Sequence, residues 1–220
     1  MKMNRRLAAF GAMFATLALV SACSQGADAK PSGAALSKWE KPGEPYFGSP
    51  KAKVVIIEYA SVTCIHCYHF DRDVLPTIKK NYVDTGKVRY VFRDFPTPPV
   101  EIAMAGHLIA QCAGPAKRHS VIETLFRQQD SIMRAAQGPT GARQALLNVA
   151  ASAGMDEAGF NACLADQAQI KKISDGVDEG VKTYGITGTP SIIINGEIQK
   201  DPKVLTPAGL SAILDAKLKG

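Results

Sequence analysis

The chain has 220 residues, 46% of them hydrophobic and 21% charged. These values suit one globular domain, or one domain carrying an insertion, and exclude a collagen, a chain disordered throughout and a multi-span membrane protein. The formal charge is +6, yet Lys2, Arg5 and Arg6 stand in the first 22 residues without an acid; the other 198 residues carry 23 basic against 20 acidic side chains, a mild +3 with no basic cluster, so nucleic acid is not an expected partner.

Residues 7–22 are apolar or small, short for a bilayer span and right for a signal-peptide core after a basic start. They end Val20-Ser21-Ala22-Cys23, which resembles the bacterial lipobox. That resemblance implies a signal peptide over 1–22, cleavage before Cys23 and lipid on the Cys23 thiol. It implies attachment to a membrane on the periplasmic side of the cell envelope, and Ser24 favours the outer membrane. An ordinary cleaved leader beside a chance cysteine is the alternative. Residues 23–44 are rich in Ser, Gly, Ala, Lys and Pro and read as a flexible tether, with the docking of Trp39 left open.

Beyond the tether, Val54-Val55-Ile56-Ile57-Glu58-Tyr59 reads as a buried strand. Phe70, Val74, Leu75 and Ile78 follow Cys64 at helical spacing, which predicts a helix over 64–82 kinked at Pro76. A turn at Asp84-Thr85-Gly86 leads into a second strand, Val88-Arg89-Tyr90-Val91-Phe92, and the long crossover predicts a parallel βαβ unit. After Pro96, Pro98 and Pro99 the pattern is helical to about 174, with four apolar stripes; residues 175–184 read as one more helix, ending at Gly185. Ser191-Ile192-Ile193-Ile194 and Glu197-Ile198-Gln199 flank Asn195-Gly196, a strong hairpin signal. Thr206-Pro207 opens a final helix with a cap and a first-turn proline.

There are five cysteines. With Cys23 set aside, four remain, and export would place them where disulfides persist. Cys64 and Cys67 form a Cys-x-x-Cys, leaving Cys112 and Cys163 for each other as a structural disulfide; two buried free thiols are the alternative. Cys64-Ile65-His66-Cys67 sits between the buried strand and a helix. Free N–H groups and the helix dipole there stabilise a thiolate. Residues i and i+3 share a face at about 5–6 Å, within disulfide range. The outer sulfur, Cys64, is open to attack and Cys67 is shielded. His66 lies where it can donate a hydrogen bond or a positive charge toward Cys64. A plain stabilising bridge is the bland reading, yet so small a loop contributes little. A metal site needs about four ligands, and no second Cys-x-x-Cys is present, so no metal and no cofactor are expected.

These residues resemble the thioredoxin superfamily, and most of all its DsbA-type thiol:disulfide oxidoreductases. The resemblance rests on Ile57-Glu58-Tyr59, Cys64-Ile65-His66-Cys67-Tyr68, Leu75-Pro76, Phe92-Arg93-Asp94-Phe95-Pro96, Gly188-Thr189-Pro190 and Asn195-Gly196, and spans about 45–220. It implies an α/β thioredoxin fold (βαβ…αββα) over 45–98 and 175–220, with an inserted all-helical subdomain over 99–174. It implies a redox-active Cys64–Cys67 disulfide with Cys64 as nucleophile and Cys67 as buried partner. Glu58 matches the family's buried acid, able to exchange a proton with Cys67 through water; a strand-end residue facing solvent is the alternative. Thr189-Pro190 matches the cis-proline loop facing the cysteines, where the Thr189 backbone would pair with a substrate chain. An ordinary trans proline is the alternative.

Two positions depart from the strongly oxidising members, which have Pro where Ile65 stands and, in several, Val where Thr189 stands. Both positions tune a potential that runs across the family from about −120 to about −270 mV. The retained His66 argues for the oxidising side. The leading expectation is a dithiol oxidase for exported proteins with free thiols, reoxidised by a quinone-linked membrane protein. A reductase or isomerase kept reduced by a membrane electron donor is the rival. A lipid-tethered metal-binding module is the rival from another class.

Overall fold

The computed structural model describes residues 37–220. The expected signal peptide, the lipidation of Cys23 and residues 23–36 of the expected tether lie outside the described residues.

The apolar run builds strand β1 (Val54–Ala60), buried at every position, and β2 (Val88–Asp94) lies parallel to it. Strand β3 (Ser191–Ile194) runs antiparallel on the other side of β1, and β4 (Glu197–Ile198) returns from it, giving the order β2-β1-β3-β4. The β3–β4 turn has positive φ at both Asn195 (49°) and Gly196 (83°), as a type I′ hairpin requires. A Cβ on Gly196 would collide with the Trp39 indole, so glycine is needed there twice over.

Side chains alternate along a strand. Val54, Ile56 and Ala60 therefore join one core, with Cys67, Phe70 and Ile78, whereas Val55, Ile57 and Tyr59 join a second core with Trp39 and Ile186. Glu58 falls in the first register and is carried to the face beneath Cys67.

The predicted 64–82 helix is present as a broken one: α1 (Ile65–His69), a π-helical turn (Phe70–Val74), α2 (Leu75–Ile78) and a second π-helical turn (Lys79–Val83). Pro76 has no N–H for the carbonyl of Arg72 and its ring crowds it, so the turn before it widens. Six helices follow: α3 (Val100–Cys112), α4 (Arg118–Arg127), α5 (Gln129–Ala136), α6 (Arg143–Ser152), α7 (Glu157–Leu164) and α8 (Gln167–Tyr184). The division expected between 174 and 175 falls inside α8, because Asp166 caps the helix at Ala168 N and Gln169 N and nothing interrupts it before Gly185, at φ 65°. The final helix α9 (Pro207–Lys219) is capped by Thr206.

The expected tether is corrected at its end. Residues 37–44 are docked on the sheet, because Arg89 and Arg93 turn inward from β2 and need anions. Glu40 takes Arg89 in a two-pronged pair (2.9 and 2.8 Å), both side chains buried. Glu44 takes Arg93 likewise (2.6 and 2.9 Å), and Arg93 also donates to the Trp39 carbonyl.

A disulfide joins Cys112 at the end of α3 to Cys163 on α7, across 51 residues. Replacing both by alanine is expected to lower stability by up to ~4 kcal/mol, read from denaturant midpoints, with disulfide exchange at the other pair retained.

Candidate active site

The loop between β1 and α1 is stitched down before the first cysteine. Phe95 N donates to Ala60 O (2.9 Å), Thr97 N to Ser61 Oγ (3.1 Å) and Thr63 Oγ1 to Thr97 O (3.0 Å). Cys64 is the N-cap of α1, in extended conformation, and Cys67 is one turn in. Cys64 is half-buried, Cys67 is fully buried, and both are free thiols.

The two sulfurs differ in acidity. Cys64 is pulled from 9.0 down to about 5: a hydrogen bond from the Cys67 thiol acts most strongly, burial opposes it, and the Thr189 side chain and the backbone N–H groups of Cys67 and His66 add to it. Cys67 is pushed up, first by burial, then by its bond to Cys64 and by the charges of Glu58 and Cys64. A charge shared at the helix end is thus held on the outer sulfur.

Thr189-Pro190 is cis, and Cys64 Sγ lies 3.3 Å from the Thr189 carbonyl. Glu58 is 2% exposed and accepts a hydrogen bond from the Tyr90 hydroxyl. Burial raises its carboxyl from 4.5 to about 8, against the Tyr90 bond that lowers it. The structure therefore brings Cys64, Cys67, Glu58, Thr189 and Pro190 together. The His66 imidazole, between the two cysteines in sequence, is exposed and makes no hydrogen bond among the described residues, while its backbone N–H helps to lower Cys64.

Gln129 escaped the sequence reading. It is buried at the start of α5, and its Nε2 donates to Val62 O (2.9 Å) and Cys64 O (3.1 Å). It ties the helical block to the backbone of Cys64. Only a polar residue on a helix without a visible cap could have signalled it, and such residues are common on surfaces.

A family model described as Thioredoxin matches residues 40–216. The chain belongs to the thioredoxin superfamily. Within it the architecture is of the DsbA type. The solved structure of Wolbachia pipientis alpha-DsbA1 superposes with a TM-score of 0.70 at 26% identity, over 82% of this chain and 93% of that one. The thiol:disulfide interchange protein DsbA of Burkholderia cepacia is 24% identical over 93% of this chain and 92% of its own length. A Rickettsia typhi protein named as a protein-disulfide oxidoreductase is 26% identical over 68% of this chain. The thioredoxin-superfamily chain described here spans about half the length of the Rickettsia relatives it matches, 53% of the R. typhi protein.

Proposed function

We propose that this chain is a thiol:disulfide oxidoreductase of exported proteins, and that it works as a dithiol oxidase donating the Cys64–Cys67 disulfide. The observation that carries this reading is the split between the two sulfurs, one ionised near pH 5 and half-exposed, the other buried and hard to ionise.

A substrate thiolate attacks Cys64 Sγ. The new sulfur–sulfur bond forms as the Cys64–Cys67 bond breaks, and the electron pair leaves on Cys67, which takes a proton. Glu58, protonated at neutral pH, is placed to supply it. A second substrate thiolate attacks the substrate sulfur of the mixed disulfide, and Cys64 departs as a stable thiolate. The substrate loses two electrons and two protons. The chain gains two electrons; one proton stays on Cys67 and the other is released. The Thr189 backbone, beside Cys64, receives the substrate as an added strand. A quinone-linked membrane protein reoxidises the pair. The lipid on Cys23 holds the domain at the periplasmic side of a membrane, the outer one by Ser24. The test is the oxidation of a reduced multi-cysteine substrate by the oxidised chain, beside the redox state of Cys64 and Cys67 in cells. Rapid oxidation and a mostly oxidised pair support the oxidase; a mostly reduced pair supports the reductase or isomerase.

The pH dependence has a fixed sign. The folded reduced chain holds a Cys64 thiolate that the unfolded chain, with a thiol near 9.0, protonates. A depressed pKa stabilises above the unfolded value and loses that contribution as pH falls through the folded one. The oxidised chain has no such group. The stability of the reduced form relative to the oxidised form is therefore expected to rise between about pH 5 and 9. Denaturant midpoints of both forms across this range check it, and a constant difference would contradict it.

A further inference from the structure

Gln129 opens α5 in the helical block, yet its side chain serves the loop before the first cysteine. It is 7% exposed. The amide nitrogen carries two hydrogens, and a carbonyl stands within reach of each: Val62 O at 2.9 Å and Cys64 O at 3.1 Å. Around it Ile102, Leu125, Ile132 and Leu146 line one small cavity. An aliphatic side chain would serve packing in that wall equally well. Packing therefore gives no reason for the two N–H groups.

The loop gives one. Ala60 O accepts from Phe95 N (2.9 Å) and Ser61 O from Cys64 N (3.0 Å). Val62 O has no donor but Gln129 among the described residues, and a buried carbonyl left alone costs free energy. Cys64 O is held twice, by Tyr68 N from α1 (3.1 Å) and by Gln129 from α5. Rotation about the Cα–C bond of Cys64 would swing this oxygen, and α1 with it, past the Cys64 side chain. Two donors on the oxygen hold that rotation at ψ 121°, the extended value of an N-cap. At this angle Sγ lies 3.3 Å from Thr189 O and beside the N–H groups of His66 and Cys67.

We propose that Gln129 is a positioning residue for disulfide exchange: by holding the Val62 and Cys64 carbonyls, it fixes Sγ of Cys64 against the first turn of α1, so that the inserted helical block sets the reactivity of this sulfur. The proposal rests on the disulfide-exchange reading above. Gln129 touches no reacting atom. It is neutral, so it acts on the sulfur through backbone geometry and not through a field. The titratable groups that face Sγ are Cys67, on the same turn, and Glu58, from β1, and neither is hydrogen-bonded to Gln129. Length matters as well as polarity. An asparagine stops one methylene short of the two carbonyls, and a methionine reaches them without a donor.

The experiment titrates the thiolate absorbance of the reduced full chain, wild type beside Gln129→Met. It then follows oxidation of a reduced peptide by the oxidised form of each. The Cys64 ionisation constant is expected to fall about tenfold in Gln129→Met, the worth of one hydrogen bond. The maximal rate of peptide oxidation should fall with it, because a less acidic sulfur departs more slowly. The half-saturating peptide concentration should stay as in the wild type. A folded Gln129→Met chain that is merely less stable, with the Cys64 midpoint and the maximal rate unmoved, would overturn the proposal. Should Gln129→Met fail to fold, Gln129→Asn is read in its place: a raised midpoint supports the proposal and a wild-type one overturns it. Loss of the fold in both would make Gln129 a residue of stability alone and overturn it too. A wild-type Cys64 that ionises near 9 would instead sink the disulfide-exchange reading.

Discussion

Cys64→Ser is expected to abolish disulfide transfer, and Cys67→Ser to stop it one step later. A serine hydroxyl cannot take the place of a thiol in disulfide exchange, and of the two sulfurs Cys64 is half-buried whereas Cys67 is fully buried. Mixed with a disulfide-bonded peptide, the Cys67→Ser chain keeps an ionised nucleophile and lacks the thiol that resolves the adduct, so a mixed disulfide accumulates. Intact mass after acid quenching reads both outcomes. Adduct on the Cys64→Ser chain and none on Cys67→Ser would reverse the roles assigned to the two sulfurs.

Arg89→Ala is expected to destabilise the chain by about 3–5 kcal/mol, the usual cost of removing one partner of a buried ion pair. Glu40 would be left charged and buried, and the carbonyls of Pro50 (3.0 Å) and Ala52 (2.7 Å) would lose their donor. The paired change Arg89→Met with Glu40→Leu removes both charges while keeping bulk, and is expected to recover most of the loss. Chemical denaturation of the three chains decides it. Equal loss in the single and the double variant would show that the guanidinium acts through its carbonyl contacts and not through Glu40.

That pair marks where reading the residues in order fell short. The β1 run, the Asn195-Gly196 turn and the Cys64/Cys67 spacing are local signals: each is decided by neighbours within a few positions, and each stands in the structure where the spacing puts it. The Pro190 loop and Glu58 were legible only through family resemblance, because their partners lie far along the chain. The docking of residues 37–44 had no local signal. Their composition resembles a linker, and Glu40 and Glu44 meet Arg89 and Arg93 across 49 residues. Gln129 was hidden for the same reason, 65 residues from the Cys64 carbonyl it holds. The α8 boundary was missed because residues 175–184 read as a separate helix, whereas the helix runs from its own Asp166 cap to its Gly185 stop. The backbone N–H of His66, which helps to lower Cys64, was not foreseen, because a sequence displays side chains and not the free N–H groups of a first helical turn.

The claim on which the rest stands is that one sulfur of the pair is ionised in neutral solution and the other is not. Thiolate absorbance of the reduced chain, titrated against pH beside the Cys64→Ser variant, measures it directly. A single ionisation near pH 5 that vanishes in Cys64→Ser, with the second thiol silent up to pH 9, is the predicted result. A Cys64 ionisation near 9, as for a cysteine free in water, would contradict it.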